Sequence, residues 1–375
     1  MTIHRLECAI VRGGTTKGVF IDGAALPDDP KRRDQLILSL FGSPDTRQIN
    51  GLGGGDPLTS KVAIMRRVDG SDVDLEYLSG EVGIDEAIIN FSTMCGNLAA
   101  GAGLYAVEAG WVKKTEPVTT VRIRNGNTGK RLTAFIPIAS GACVMAPSGA
   151  VDGAAGYGAE MSLAFHDPAG AITGQLLPTG SATDTLTLAH EQPVPCSIVD
   201  CGTLYGFVHA SSFGLSGHES PRELDNNTAF KETMEHLREQ VAITLTERSG
   251  NAYTSRQIKM AIVAAAEDAP AKVISRVINR YKTHKAFPVT GAICLSAAAA
   301  VDGTLVHELV GNSKGLCRIG IGHPTGALSV RSSFEVEQGA YKILETVVNR
   351  SARVLMEGVA YAYLADERSN YKALS

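Results

Sequence analysis

The sequence predicts an α/β protein (α+β) of two similar halves, each wrapping a curved sheet around one central helix. Three observations carry that prediction. The 375 residues are 44% apolar and 20% charged, the composition of a globular chain long enough for two full cores. Four short motifs recur in the same order in both halves. Each half also holds one helix-length run made almost wholly of small and apolar residues.

The repeats set the frame for the other elements. "CAIVRGGTTKG" from Cys8 matches "CSIVDCGTLYG" from Cys196, an offset of 188 residues. "KVAIM" from Lys61 matches "KMAIV" from Lys259, offset 198. "CGNLAAGAG" from Cys95 lies opposite "TGAICLSAAAA" from Thr290, offset 195, and "RIRNGNTG" from Arg122 matches "RIGIGHPTG" from Arg318, offset 196. Such regular spacing divides the chain into two domains, 1–185 and 186–375, with the end of the chain able to pack back on the first.

In each half a β-branched strand ("ECAIV", "CSIVD") enters a Gly/Thr turn and then a second strand ("GVFID", "GFVHA"), a hairpin signal. A helix follows the first hairpin. Asp29 is its N-cap, Pro30 takes the first helical position, "KRRDQLILSLF" forms the body and Gly42 closes it. More strands lead to the small-residue helices, "CGNLAAGAGLYAVEAG" and "TGAICLSAAAAVDG". A helix with small side chains on every face is buried on every face, which favours enclosure by a curved sheet. A helix lying flat on an open sheet is the alternative.

Composition excludes several functions. The formal net charge of −4 and pI near 6.2, with basic residues spread along the chain, argue against affinity for nucleic acid or acidic membranes. No run approaches the length of a membrane span, and no basic segment precedes an apolar one at the N-terminus, so cytoplasmic residence is expected. Seven cysteines without a C-x-x-C pair imply neither a disulfide framework nor a zinc ribbon, and the nine histidines form no H-E-x-x-H. No metal is expected.

The loop "GLGGGDPLTSK", Gly51 to Lys61, is not a nucleotide P-loop, because Thr59 and Ser60 precede Lys61 and Pro57 interrupts the backbone donors. Its glycine N–H groups suit a smaller anion. Lys61 opens the strand "SKVAIM", projecting opposite Ser60 and Val62. A desolvated lysine there can titrate near neutrality and serve as acid or base; a surface lysine flanking a strand is the plainer reading. Cys95 opens the first small-residue helix, whose dipole favours a thiolate; a buried structural thiol is its plainer reading. Thr290, opposite Cys95 in the repeat, cannot act as a base at neutral pH.

If the two helix starts face one another, the N–H groups of Gly96, Asn97, Gly291 and Ala292 suit carboxylates or developing enolate charge. Thr15, Thr16 and Lys17 in the first strand turn, Ser60, His284 and Lys285 in "THKAFPVTG", and His323 and Thr325 in "GHPTG" are further candidate contacts.

"VRGGTTKGVF", "GLGGGDPLTSKVAI", "MCGNLAAGAG", "NGNTGK", "LPTG" and "RIGIGHPTGAL" resemble, in order and spacing, the 2-methylaconitate cis-trans isomerase (PrpF) family, which includes methylitaconate Δ-isomerase and 4-oxalomesaconate tautomerase. The resemblance covers essentially the whole chain. It implies a diaminopimelate epimerase-like fold, two pseudo-symmetric domains with curved, mainly antiparallel sheets around central helices. It also implies a cofactor-independent isomerase of small unsaturated di- or tricarboxylates, with Lys61 and Cys95 as the proton-transfer pair. The related epimerases carry a second cysteine where this chain has Thr290. Many family members have Asn-Pro where this chain has Thr203 and Leu204, so a polar substrate contact is expected to differ.

Removing an allylic proton beside a carboxylate requires a base in contact and fixed dipoles around the dienolate. Two competing functions stay open: an amino-acid racemase or epimerase of the same fold, and a non-catalytic carboxylate-binding protein. The identity of the acid and assembly as a homodimer also stay open.

Overall fold

The structure is a computed structural model describing residues 2–364, apart from 71, 148–151, 155, 189–191, 268–270, 280–281 and 312–313. The first half runs β1 (Thr2–Gly13), β2 (Thr16–Asp22), α1 (Pro30–Phe41), β3 (Lys61–Arg67), β4 (Leu75–Val82), β5 (Ile89–Asn90), α2 (Gly96–Glu108), β6 (Val118–Asn125), β7 (Arg131–Ala139), β8 (Ala142–Cys143), β9 (Met145–Pro147) and β10 (Tyr157–His166). The second runs β11 (Asp184–Thr187), β12 (Pro193–Asp200), β13 (Leu204–His209), α3 (Pro221–Asn226), α4 (Thr228–Ser249), β14 (Ile258–Ala265), β15 (Val273–Ile278), α5 (Val289–Ala300), α6 (Leu305–Val310), β16 (Leu316–His323), β17 (Gly326–Glu337) and β18 (Ala340–Leu364).

Parallel neighbours need a crossover between them, and the crossovers place the helices. In the first half β2 pairs parallel with β3 and β4 parallel with β6, while β1–β2, β3–β4 and β6–β7 are antiparallel. The same sequence of pairings recurs from β12 to β17. In the first half, β7–β10, β10–β18 and β18–β1 then close the strands into a ring. The chain crosses between the halves through β18: its first part pairs with β17, and Ala352–Leu364 pair with β1. Near the midpoint, β11 pairs with β12.

α1 and α4 lie outside the sheets in separate apolar clusters, whereas α2 and α5 share the main core. α1 starts and stops as its sequence predicts: Asp29 accepts from the Arg32 N–H, Pro30 follows, and Gly42 adopts φ 70°. Every residue of α5 is buried, and so is α2 from Gly96 to Val107 except Tyr105. Gly101 allows this closeness, because a Cβ there would lie 2.8 Å from the Phe20 ring and 3.1 Å from Val11. Enclosure, rather than docking on an open sheet, is therefore the arrangement found. Among the described residues no helix is long and apolar enough to cross a membrane.

Candidate active site

The strand β3 begins at Lys61, and its antiparallel register sets Lys61 opposite Glu81 of β4. Lys61 Nζ meets Glu81 Oε2 at 2.8 Å; the lysine side chain is 12% exposed and the glutamate 42%, so the pair opens on the Glu81 side. Burial pulls the Lys61 pKa down, but the Glu81 carboxylate and charge at Cys95 outweigh it and hold the lysine above its ordinary value. The near-neutral lysine expected from desolvation is thus corrected by its ion pair. For Glu81, burial is opposed by Lys61, Lys259 and His284, which lower its pKa to about 2.

The glycine-rich loop is not the anion cradle its composition suggests. The N–H groups of Gly51, Leu52 and Gly53 bond the carbonyls of Gln48, Leu40 and Phe41, while Gly55 bonds Gln48 Oε1. Leu58 and Thr59 donate to Asp56. With these donors spent on the end of α1, on Gln48 and on Asp56, the loop is shaped to present Lys61. Ser60, fully buried, accepts from Gln48 Nε2 at 2.7 Å and donates to the Val82 carbonyl at 2.9 Å. It braces the loop instead of facing a ligand.

Cys95 is the N-cap of α2 and the one cysteine of the seven that is not buried. Its N–H donates to Ser79 Oγ at 2.8 Å, and its carbonyl accepts from the Tyr77 hydroxyl at 2.8 Å. Asn127, from the β6–β7 turn, clamps Ser79 by accepting from its N–H and donating to its carbonyl. The backbone carrying the sulfur is therefore pinned on both sides.

The two central helices meet at their N-termini. A Cβ on Gly96 would lie 2.7 Å from the Val289 side chain and 3.5 Å from the Thr290 nitrogen, an approach only glycine permits. First-turn N–H groups lack intrahelical partners, and here the start of α2 at Gly96 abuts Val289 and Thr290 at the start of α5, while Gly291 packs against Tyr205 and Phe287. Ala292 drops out of that set: α5 starts at Val289, and the Ala292 N–H already bonds the Pro288 carbonyl at 3.0 Å. The Thr290 side chain hydrogen-bonds the buried Tyr205 phenol.

The second half adds charge to this junction. Lys259, the repeat counterpart of Lys61, lies within electrostatic reach of Glu81, Lys61 and Cys95. Burial, joined by the charges of Lys61 and Arg238, outweighs Glu81 and lowers its pKa. His284 Nδ1 accepts from the Ala286 N–H at 3.0 Å, and His323 Nδ1 accepts from the Thr325 N–H at 3.3 Å. Burial is the main cause that lowers both histidines to about 4. Each is then neutral at pH 7 with its proton on Nε2.

The remaining candidates divide. Asn97 Nδ2 donates to Thr15 Oγ1 at 3.3 Å, and a Cβ on Gly153 would lie 2.7 Å from Thr325 Oγ1 and 3.3 Å from both Thr15 and Ala286. Thr15, Asn97, Ala286 and Thr325 thus converge from four segments. Thr16 is buried, and the Lys17 N–H bonds the Leu58 carbonyl at 2.9 Å, tying the hairpin to the loop before Lys61. Lys285 leaves the set: 64% exposed, it pairs with Asp56 at 2.8 Å. Thr203 Oγ1 is sealed without a hydrogen-bond partner, so the position expected to alter a substrate contact faces no open site.

Two residues of the cluster escaped the sequence reading. Lys259 was legible in the repeat match with Lys61. Glu81 belongs to no motif and is found only through strand register. Among the described residues no three His, Cys, Asp or Glu side chains gather as a metal site.

Comparison with known proteins adds independent information. The family described as "PrpF protein" matches residues 3–363. The 3-methylitaconate isomerase of Eubacterium barkeri is 35% identical over 373 residues, covering 95% of this chain and 97% of that protein. The 4-oxalomesaconate tautomerase of Pseudomonas putida is 34% identical over 356 residues, 95% of each chain. Among solved structures, methylitaconate Δ-isomerase superposes with TM-score 0.76 at 32% identity, covering 99% of this chain and 100% of that one. A hydroxyproline epimerase from Agrobacterium vitis, 12% identical with TM-score 0.60 over 97% of this chain and 94% of its own, shares the fold alone. The fold is of the diaminopimelate epimerase-like class.

Proposed function

The chain belongs to the PrpF protein family, and from that premise we propose that it is an isomerase of small unsaturated di- or tricarboxylates working by allylic proton transfer. The observation that carries this reading is the gathering of Lys61, Glu81, Cys95 and Lys259 where two helix N-termini abut. Two ammonium groups and two positive helix ends at this junction suit a polycarboxylate and its dienolate.

The ion pair gives the proton pair a direction. Glu81 keeps Lys61 as an ammonium, so Lys61 is the acid at the start of the cycle. The base is then the Cys95 sulfur. Cys95 Sγ takes the allylic proton; the electron pair of the broken C–H bond spreads through the double bond onto the carboxylate oxygens; Lys61 Nζ protonates the far carbon. The thiol proton returns to the amine as product leaves. Return of the proton to its original carbon after bond rotation changes cis to trans instead. General acid and base groups of this kind contribute roughly 10²- to 10⁴-fold each.

Relatives of nearly equal identity act on methylitaconate and oxalomesaconate, so overall similarity does not choose the acid. We assign the two lobes to 1–185 and 186–375, with the strand after Ala352 added back to the first. Cytoplasmic residence and independence from nucleic acid belong to the same reading. The test is a screen of methylaconitate, aconitate, methylitaconate and oxalomesaconate, following conjugated ultraviolet absorbance. Conversion of at least one acid is expected; inertness toward the whole panel contradicts the reading.

A further inference from the structure

Three arginines are buried among the described residues: Arg238, Arg276 and Arg350. Arg238 pairs with Glu235 at 2.7 Å, and Arg276 lies within reach of the Glu219 charge. Arg350, only 4% exposed, has no acidic partner among them. Its Nε donates to Asn97 Oδ1 at 3.1 Å and Nη1 to the Asn349 carbonyl at 3.0 Å, both neutral acceptors. Nη2 has no hydrogen-bond partner among the described residues and is not among their sealed polar atoms, so it is not closed off from solvent. A buried guanidinium with donors to spare is strongly unfavourable unless an anion completes it.

Its surroundings say where that anion lies. Asn97 belongs to the first turn of α2 and links Arg350 to Thr15, and a Cβ on Gly14 would come 3.3 Å from Arg350 Cδ. His323 feels the Arg350 charge, and Thr325 and Thr15 meet around Gly153. Lys61, Glu81 and Lys259 form a separate group at the same helix junction. The geometry points to Arg350 as the anchor for a substrate carboxylate remote from the proton-transfer pair, held in a bidentate manner by its terminal nitrogens. The site thereby selects acids with two separated carboxylates over monocarboxylates. This inference rests on the isomerase reading for the identity of the site, but its test does not require turnover.

The experiment measures binding of succinate, an unreactive dicarboxylate, and of acetate, by calorimetry. The proteins are the wild type, Arg350→Gln, and each of these carrying Lys61→Ala. Wild type should bind succinate much more tightly than acetate. Arg350→Gln should weaken succinate about 30-fold or more, the scale of a lost charge-assisted bond, and should abolish the preference in both backgrounds. Succinate binding within about three-fold of wild type in Arg350→Gln, or none in wild type, overturns the proposal. If the variant fails to fold, a wild-type crystal structure with succinate decides: a carboxylate at the Arg350 terminal nitrogens supports the anchor, and both carboxylates lying elsewhere overturn it. Arg350-dependent binding without turnover of any panel acid would leave the anchor and remove the isomerase reading; turnover with Arg350-independent binding would do the reverse.

Discussion

The two halves of the molecule repeat one order of strand pairings but not one chemistry. Lys61 and Lys259 stand at the starts of equivalent strands, yet Lys61 lies opposite Glu81 within the β3–β4 ladder, whereas the β14–β15 ladder begins one residue after Lys259, with Met260 opposite Ile278. One lysine is held above its ordinary pKa and the other below it. Cys95 opens one central helix, while its counterpart Thr290 is tied to Tyr205. The β6–β7 turn spends Asn127 on holding Ser79, and so Cys95, in place; the matching position, at the end of β16, is His323. Duplication supplies a backbone with two helix ends at its centre. On the proposed mechanism, local charge partners then decide which half moves protons and which half holds anions.

The largest effect that would sharpen this contrast is loss of the pair itself. Cys95→Ala and Lys61→Ala should each lower kcat by roughly 10³-fold or more in the absorbance assay, with unfolding midpoints close to wild type. Retained activity in either removes that residue from the mechanism. Interchangeability of the halves is tested next: the double variant Cys95→Ala/Thr290→Cys should stay within about three-fold of Cys95→Ala, since residue 290 lies inside the first turn of α5 rather than at a pinned N-cap and its side chain is turned to Tyr205. Recovery of about 100-fold would break the comparison.

Glu81→Gln should act through pH. Glu81 raises the Lys61 pKa, so its loss lowers that pKa, and the alkaline fall of kcat/KM, where the required ammonium deprotonates, moves to lower pH. An alkaline limb that stays in place contradicts the assignment of Lys61 as acid. The smallest effect belongs to Lys285→Ala. Its exposed pair with Asp56 contributes about 0–1 kcal/mol, and activity should stay within about two-fold; a large rise in KM would return Lys285 to the site.

Much of this was legible in the sequence because it rests on local chemistry. Asp29, Pro30 and Gly42 mark α1 by capping rules, and uniformly small side chains mark α2 and α5 as enclosed. Cys95 at a helix start and Lys61 at a strand start are likewise local features. What was misread depends on distant partners. The glycine-rich loop looked like an anion cradle because its donors are visible in sequence while the carbonyls of Leu40 and Phe41 that consume them are not. Ser60 looked free because Gln48 and Val82 reach it only through folding. Ala292 was misplaced because α5 starts before the repeat boundary suggests. Arg350 lies 253 residues from the Asn97 it bonds, and no motif joins them.

Solvent exchange tests the central claim most directly. In deuterium oxide, proton NMR of the panel acids with wild-type protein should show label entering an allylic carbon, and neither Lys61→Ala nor Cys95→Ala should complete isomerisation. Label appearing instead at the α-carbon of an amino acid, or full isomerisation by both variants, would contradict a proton relay built from these two side chains.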